Sequence, residues 1–149
     1  MLGDVSSAVA LDLYAGTGAL GIEALSRGAA RAVFVENARP ALAALRENIA
    51  ALKLQGRAKI LARSATSAAL SLAREGPFDL IFLDPPYLAL AQVPGVVREL
   101  ESSRAIAPLS RLIVEHATKE LAPPLPGFTP ELRRAYGDTS VTIYRPSAA

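Results

Sequence analysis

The sequence predicts an α/β protein with a doubly wound, Rossmann-like, mostly parallel sheet and an antiparallel C-terminal hairpin strand. Three observations carry this expectation. Short apolar β-like runs alternate with longer segments of helical period through five repeats. The glycine turn "AGTGALG" directly follows the first run, as in the strand-to-helix corner of a βαβ unit. Gly137-Asp138 separates the last two runs and is a strong hairpin signal. The 149 residues fit a single domain, 1–149, long enough to bury a sizeable core.

In chain order, "VALDL" (Val9–Leu13) reads as a buried strand, followed by the glycine turn and a helix through Arg27. Gly28 closes that helix as a C′ glycine does. "RAVFVE" (Arg31–Glu36) is the second strand, and Ala38–Leu54 a strong helix with Ala41, Leu42, Leu45, Ile49 and Leu52 on one face. "RAKILAR" (Arg57–Arg63) is the third strand and Ser67–Glu75 the third helix. "FDLIFLD" (Phe78–Asp84) is continuously apolar until its end, which suits a strand buried on both faces. After "PPY", a helix near Val96–Glu101 leads to the strand "RLIVEH" (Arg111–His116) and the proline-rich connector "LAPPLPGFTP". The hairpin strands "ELRRAY" and "SVTIYR" close the chain.

Composition narrows the function classes. No apolar run approaches the roughly 20 residues of a membrane span, and the start lacks the basic and apolar regions of a secretory signal. The absence of cysteine excludes disulfides and thiolate metal sites. One histidine and dispersed acids offer no metal-ligand cluster, so no metal is expected. The formal charge of +2 and thirteen scattered arginines, Arg63 among them, form no evident nucleic-acid patch. A cytoplasmic monomer is the default expectation.

In open sheets of this kind, ligands bind outside the carboxyl ends of the strands. The residues there are the glycine turn, Glu36, Ser64 with Ala65, and Asp84 to Tyr87. The string G-x-G-x-x-G at Gly16, Gly18 and Gly21 fits a dinucleotide, and equally an ordinary tight turn. Asp12, just ahead of it, would repel a pyrophosphate, whereas S-adenosylmethionine carries both a carboxylate and an ammonium. Two roles stay open for Asp12: a ligand contact, or a cap on backbone N–H groups of its own loop. Glu36 ends the second strand and suits the two hydroxyls of a ribose; an N-cap-like role at the next helix is its structural alternative. Ser64 and Ala65 would lie beside an adenine.

"DPPY" is the decisive stretch. Pro85 and Pro86 remove two backbone donors and leave stiff carbonyls beside the Asp84 carboxylate. Such an acceptor-rich edge suits an NH₂ group whose lone pair must be turned toward a methyl donor, and positioning is then most of the catalysis. Tyr87 would stack on a base that is unpaired or flipped out. His116 and Glu115, ending the fifth strand, read by default as structural.

"LDLYAGTGALGIEALSRGAARAVFVE" followed by "FDLIFLDPPY" resembles the RsmD family, bacterial methyltransferases that modify a guanine N2 amine in 16S rRNA. The match runs from about Leu11 to Tyr87, and "GALGIEALSRGA", with Glu23, Ser26 and Arg27, is more specific than the glycines alone. The resemblance implies a methyltransferase sheet. It implies that Asp12, the turn Tyr14, Ala15, Gly16, Thr17 and Gly18, the pair Glu36 and Asn37, Ser64, Ala65 and Asp84 bind S-adenosylmethionine, leaving S-adenosylhomocysteine as product. Asp84, Pro85, Pro86 and Tyr87 would hold the guanine, and the partner would be rRNA in the small ribosomal subunit or its assembly intermediate. Glu23 is read as tying its helix to the glycine turn.

Family members carry an upstream arm rich in arginine and glycine, which these 149 residues lack ahead of the first strand. Many relatives of the wider class place an acid or amide near Ser64, where this chain offers only a hydroxyl. Competing readings are another amino-group methyltransferase acting on adenine N6 in DNA or RNA or on protein glutamine, a nicotinamide-dependent oxidoreductase, and a fragment that binds cofactor without retaining RNA.

Overall fold

The computed structural model describes residues 4–148, with the backbone alone at residues 87 and 88. Strand β1 (Val9–Leu13) feeds helix α1 (Ala19–Ser26), followed by β2 (Arg31–Val35), α2 (Arg39–Ala51) and β3 (Ala58–Leu61). Helix α3 (Ala65–Ala68) runs into a 3-10 segment, Ala69–Arg74, before β4 (Phe78–Leu83). A second 3-10 segment, Tyr87–Gln92, precedes α4 (Val93–Ser102), β5 (Ile106–Ala117), β6 (Phe128–Tyr136) and β7 (Thr139–Pro146).

The strands form one sheet in the order β3-β2-β1-β4-β5-β7-β6. The five from β3 to β5 are parallel, and β7 lies antiparallel between β5 and β6. The chain winds outward from β1 to β3 and then crosses back to β4, so the topological switch point lies between β1 and β4. That is where a doubly wound sheet opens a crevice.

Side-chain alternation along the strands sorts the core into two layers. Leu11, Leu13, Val33, Val35, Ile81 and Leu83 point to the face covered by α3, its 3-10 extension and α4. Ala10, Phe34, Leu80 and Phe82 point to the face covered by α1 and α2, meeting Leu25, Leu45 and Ile49.

Three helices end in the same way. Gly28, Lys53 and Arg104 take φ values of +107°, +57° and +62°. Behind each, the next N–H reaches back to a carbonyl of the last turn: Ala29 to Ala24 (3.0 Å), Leu54 to Ile49 (2.9 Å), and Ala105 to Leu100 (2.8 Å). This is the Schellman arrangement, which satisfies carbonyls that the helix end leaves open and turns an apolar residue inward. It corrects the reading of the α2 face. The helix stops at Ala51, Leu52 is 56% exposed, and Leu54 is the residue that enters the core.

Other boundaries moved for identifiable reasons. β5 extends back to Ile106, since Phe78 of β4 pairs with that residue before a register shift. The proline-rich connector gives way to β6 at Phe128, and Pro130 is tolerated in that strand because β6 is the outer strand and carries an irregularity between Pro130 and Leu132. α3 begins at Ala65 because the Ser64 Oγ accepts the Ser67 N–H and caps it there.

Candidate active site

Sheet register aligns the strand exits. Leu13 of β1 pairs with Val35 of β2 and Leu83 of β4, and Leu83 pairs with Val114 of β5. The next residues, Glu36, Tyr14, Asp84 and Glu115, therefore form a row across four adjacent parallel strands, the first three just beyond the strand ends and Glu115 two residues before the end of β5. Three of the four are acids. Two clefts that share Asp84 and Pro85 open along the row, and a third cavity of about 220 Å³, toward α1, is lined by Glu115 with Glu23, Arg27, Phe82 and Ile113.

The first cleft has a volume of about 380 Å³ and is lined by Tyr14, Gly16, Val35, Glu36, Asn37, Arg63, Ala65, Asp84, Pro85 and Pro86. Glu36 organises its β2 side. Its Oε1 accepts the Gly16 N–H at 2.8 Å, and its Oε2 accepts the Asn37 and Ala38 N–H groups at 3.0 and 2.9 Å. These N–H groups precede α2, whose N-cap Ala38 carries no side-chain cap, so Glu36 braces the loop ahead of the helix instead of capping it and ties the glycine turn to the next strand exit. A carboxylate has about four lone-pair positions, so these three bonds leave one position, on Oε1, for a ligand hydroxyl. A Cβ on Gly16 would meet nothing within 4 Å, so its backbone faces open space. Tyr14, at φ +59°, donates its hydroxyl to Gln92 Oε1 at 3.3 Å, linking the β1 exit to the segment after "DPPY".

Asp12 lies one step below the cleft: alternation sets it level with Phe34 and Phe82 on the face covered by α1, where it is 1% exposed. Its Oδ2 accepts the N–H of Gly21, in the first turn of α1, at 2.9 Å, while its Oδ1 has no partner among the described residues. Of its two open roles, the cap is the one observed. Burial pushes the carboxyl up to about 8, against the lowering effect of the Gly21 N–H, with Asp84 and Glu36 adding to the rise.

Ala15, Thr17, Gly18 and Ser64 were also expected at the cofactor, and none lines the cleft. Ala15 and Thr17 hold the turn itself, through Gly18 N–H to Ala15 O at 2.8 Å and Asn48 Nδ2 to Thr17 O at 3.0 Å. Gly18, at φ +87°, is the N-cap of α1 and packs beside Leu45, Ile22 and Phe34. The Ser64 hydroxyl is committed to capping α3. Glu23 does not reach the glycine turn; it pairs with Arg27 at 2.8 Å on the exposed side of α1. Val35 and Arg63 line the cleft and were missed. Arg63 precedes Ser64 at the β3 exit, so the strand-end rule that selected Ser64 reaches it as well.

The second cleft, about 210 Å³, shares Asp84 and Pro85 with the first and adds Leu90, Glu115, His116, Ala117, Glu120, Asp138 and Thr139. Asp84 is exposed along one edge, yet partial burial pushes its carboxyl up to about 6, with the Glu115 charge adding to the rise. His116 contributes no free nitrogen. A carbonyl can only accept, so Nδ1–H donates to Ala117 O (3.0 Å) and the Thr142 hydroxyl donates to Nε2 (2.8 Å). The Tyr87 side chain lies outside the described residues. Among the described residues, no group of acids and histidine could hold a metal ion, and no helix is long and apolar enough to cross a membrane.

The sequence model of the family described as "Conserved hypothetical protein 95" matches residues 1–145. The chain belongs to this family. It is the RsmD family, which the glycine turn and "DPPY" resemble. Among its relatives, ribosomal RNA small subunit methyltransferase D of Escherichia coli (strain K12) is 32% identical over 146 residues, 97% of this chain and 71% of its own length. YlbH of Bacillus subtilis (strain 168) is 34% identical over 137 residues, 91% of this chain and 74% of its own. A solved structure of a conserved hypothetical protein from Streptococcus pyogenes superposes with a TM-score of 0.88 at 33% identity, covering 95% of this chain and 88% of that one. RsmD-family membership thus spans the glycine turn, both clefts and the hairpin that borders the second cleft.

Proposed function

We propose that this chain transfers a methyl group from S-adenosylmethionine to the exocyclic N2 amine of a guanine in 16S rRNA, acting as one domain in the cytoplasm on the small ribosomal subunit or its assembly intermediate. The observation that carries the reading is the Asp84-Pro85 turn, a wall shared by two clefts. A donor on one side and an acceptor base on the other would meet across it.

The first cleft fits the cofactor. Glu36 and Asp84 against the single cation Arg63 make the lining net anionic, which favours a ligand bearing ammonium and sulfonium over a pyrophosphate. Glu36 keeps one acceptor position for a ribose hydroxyl, Ala65 leaves room for a base, and Gly16 keeps the turn open. When bound, S-adenosylmethionine supplies a methyl carbon made electrophilic by its sulfonium.

The chain's own groups position the acceptor. Asp84 and the Pro85 carbonyl accept the two N2–H hydrogens, which turns the nitrogen lone pair toward the methyl carbon. Transfer would exchange the donor's C–S bond for the new N–C bond, the C–S electron pair staying with sulfur, and Asp84 would take up the surplus N–H proton. Orientation and a fixed acceptor pair are what the protein contributes.

The test is transfer of labelled methyl to under-modified small-subunit particles or their RNA. Asp84→Ala is expected to lower transfer by at least ~100-fold while calorimetry still detects S-adenosylmethionine binding. Full transfer by that variant, or cofactor binding without transfer by the wild-type chain, would overturn the assignment.

A further inference from the structure

We infer that Glu115 selects guanine at this site by accepting the base's N1–H while Asp84 and the Pro85 carbonyl accept the N2 amine. The inference rests on the methylation reading above and deepens it from an amino group to one base.

Adjacent parallel strands place the two carboxylates side by side. Val114 pairs with Leu83, so Glu115, still within β5, and Asp84, just past β4, stand at the same level on neighbouring strands, about 5 Å apart in the backbone. Both line the second cleft, Glu115 is half-buried, and the two charges interact. Among the described residues, neither side chain has a hydrogen-bond or ion-pair partner, unlike Glu36, Glu75 and Glu131 elsewhere in the chain. His116, beside them, is fully engaged. No lysine or arginine lines this cleft, which therefore disfavours a phosphate and favours a neutral edge made of donors.

The Watson–Crick edge of guanine supplies two such donors side by side, N1–H and the N2 amine, with the O6 acceptor beyond them. An adenine presents its N6 amine beside the N1 acceptor, and a glutamine amide presents its NH₂ beside a carbonyl. Either would set a lone pair against the Glu115 carboxylate. Leaving buried groups mismatched in this way is the strong form of discrimination available to a binding site.

The experiment first maps the methylated guanine in small-subunit particles by mass spectrometry, then replaces it with 2-aminopurine. That base keeps the exocyclic amine and converts N1 from donor to acceptor. The wild-type chain is expected to prefer guanine by roughly 100-fold or more in kcat/KM. Glu115→Gln, whose amide can donate to N1, should shrink that preference at least ~10-fold by slowing guanine and speeding 2-aminopurine. Glu115→Asp keeps the charge and should retain the guanine preference at a lower kcat/KM. S-adenosylmethionine affinity should be unchanged in both variants, since Glu115 does not line the first cleft.

An unchanged preference in Glu115→Gln, or a loss of cofactor binding, would overturn the role of Glu115 and leave the methylation reading standing. A wild-type chain that methylates no guanine would overturn both.

Discussion

At the scale of single residues, two carboxylates with raised proton affinities have opposite consequences. On the proposed mechanism Asp84 has to be ionised to accept the N2–H hydrogens, and burial, with the Glu115 charge adding, pushes its carboxyl up to about 6. The kcat/KM for methyl transfer should therefore rise across pH 5 to 7 and flatten above, with an apparent pKa near 6. Asp12, pushed up to about 8, keeps its proton in the folded protein after the unfolded chain has lost it. Between its ordinary value of 3.8 and about 8 the unfolded state binds fewer protons, so stability falls as pH rises. Asp12→Asn can still accept the Gly21 N–H and cannot ionise. Thermal unfolding should show a smaller loss of Tm between pH 5 and 8 for the variant than for the wild-type chain.

At the scale of elements, the helix ends carry the clearest stability expectation. Gly28 is a C′ residue that the sequence announces, because glycine enters left-handed backbone without penalty. Lys53 and Arg104 occupy the same position with φ near +60° and give no such signal. Their conformation follows from the apolar residue behind each, Leu54 or Ala105, being drawn into the core. Lys53→Gly removes left-handed strain at the cost of unfolded-chain entropy, and should raise stability by about 0.5 kcal/mol in a denaturant melt. Gly28→Ala, measured the same way, should lower it by about 1 kcal/mol. The same tertiary pull explains why Leu52, which continues the apolar stripe in the sequence but lies past the last helical residue, is exposed. The stripe counts positions within a helix and is silent about the residue at which the helix ends.

At the scale of the whole molecule, the doubly wound sheet gathers residues distant in sequence along one crevice, and a ligand there should stabilise the entire fold. S-adenosylmethionine at 100 times its Kd should add about 2.7 kcal/mol and raise Tm by several degrees, while NAD at equal concentration should leave Tm unchanged. By itself the sequence determined the alternation of strands and helices, and hence the edge at which ligands bind, since periodicity and turn residues are local properties. It also marked Gly16, Glu36, Ala65 and Asp84 to Pro86 at that edge through their places at strand ends. Only the tertiary structure decided which way those residues face. Strand alternation sent Asp12 under α1, and Ser64 was taken up by its own helix cap. Parallel register brought Glu115 level with Asp84, a neighbour relation set by pairing between strands far apart in the chain.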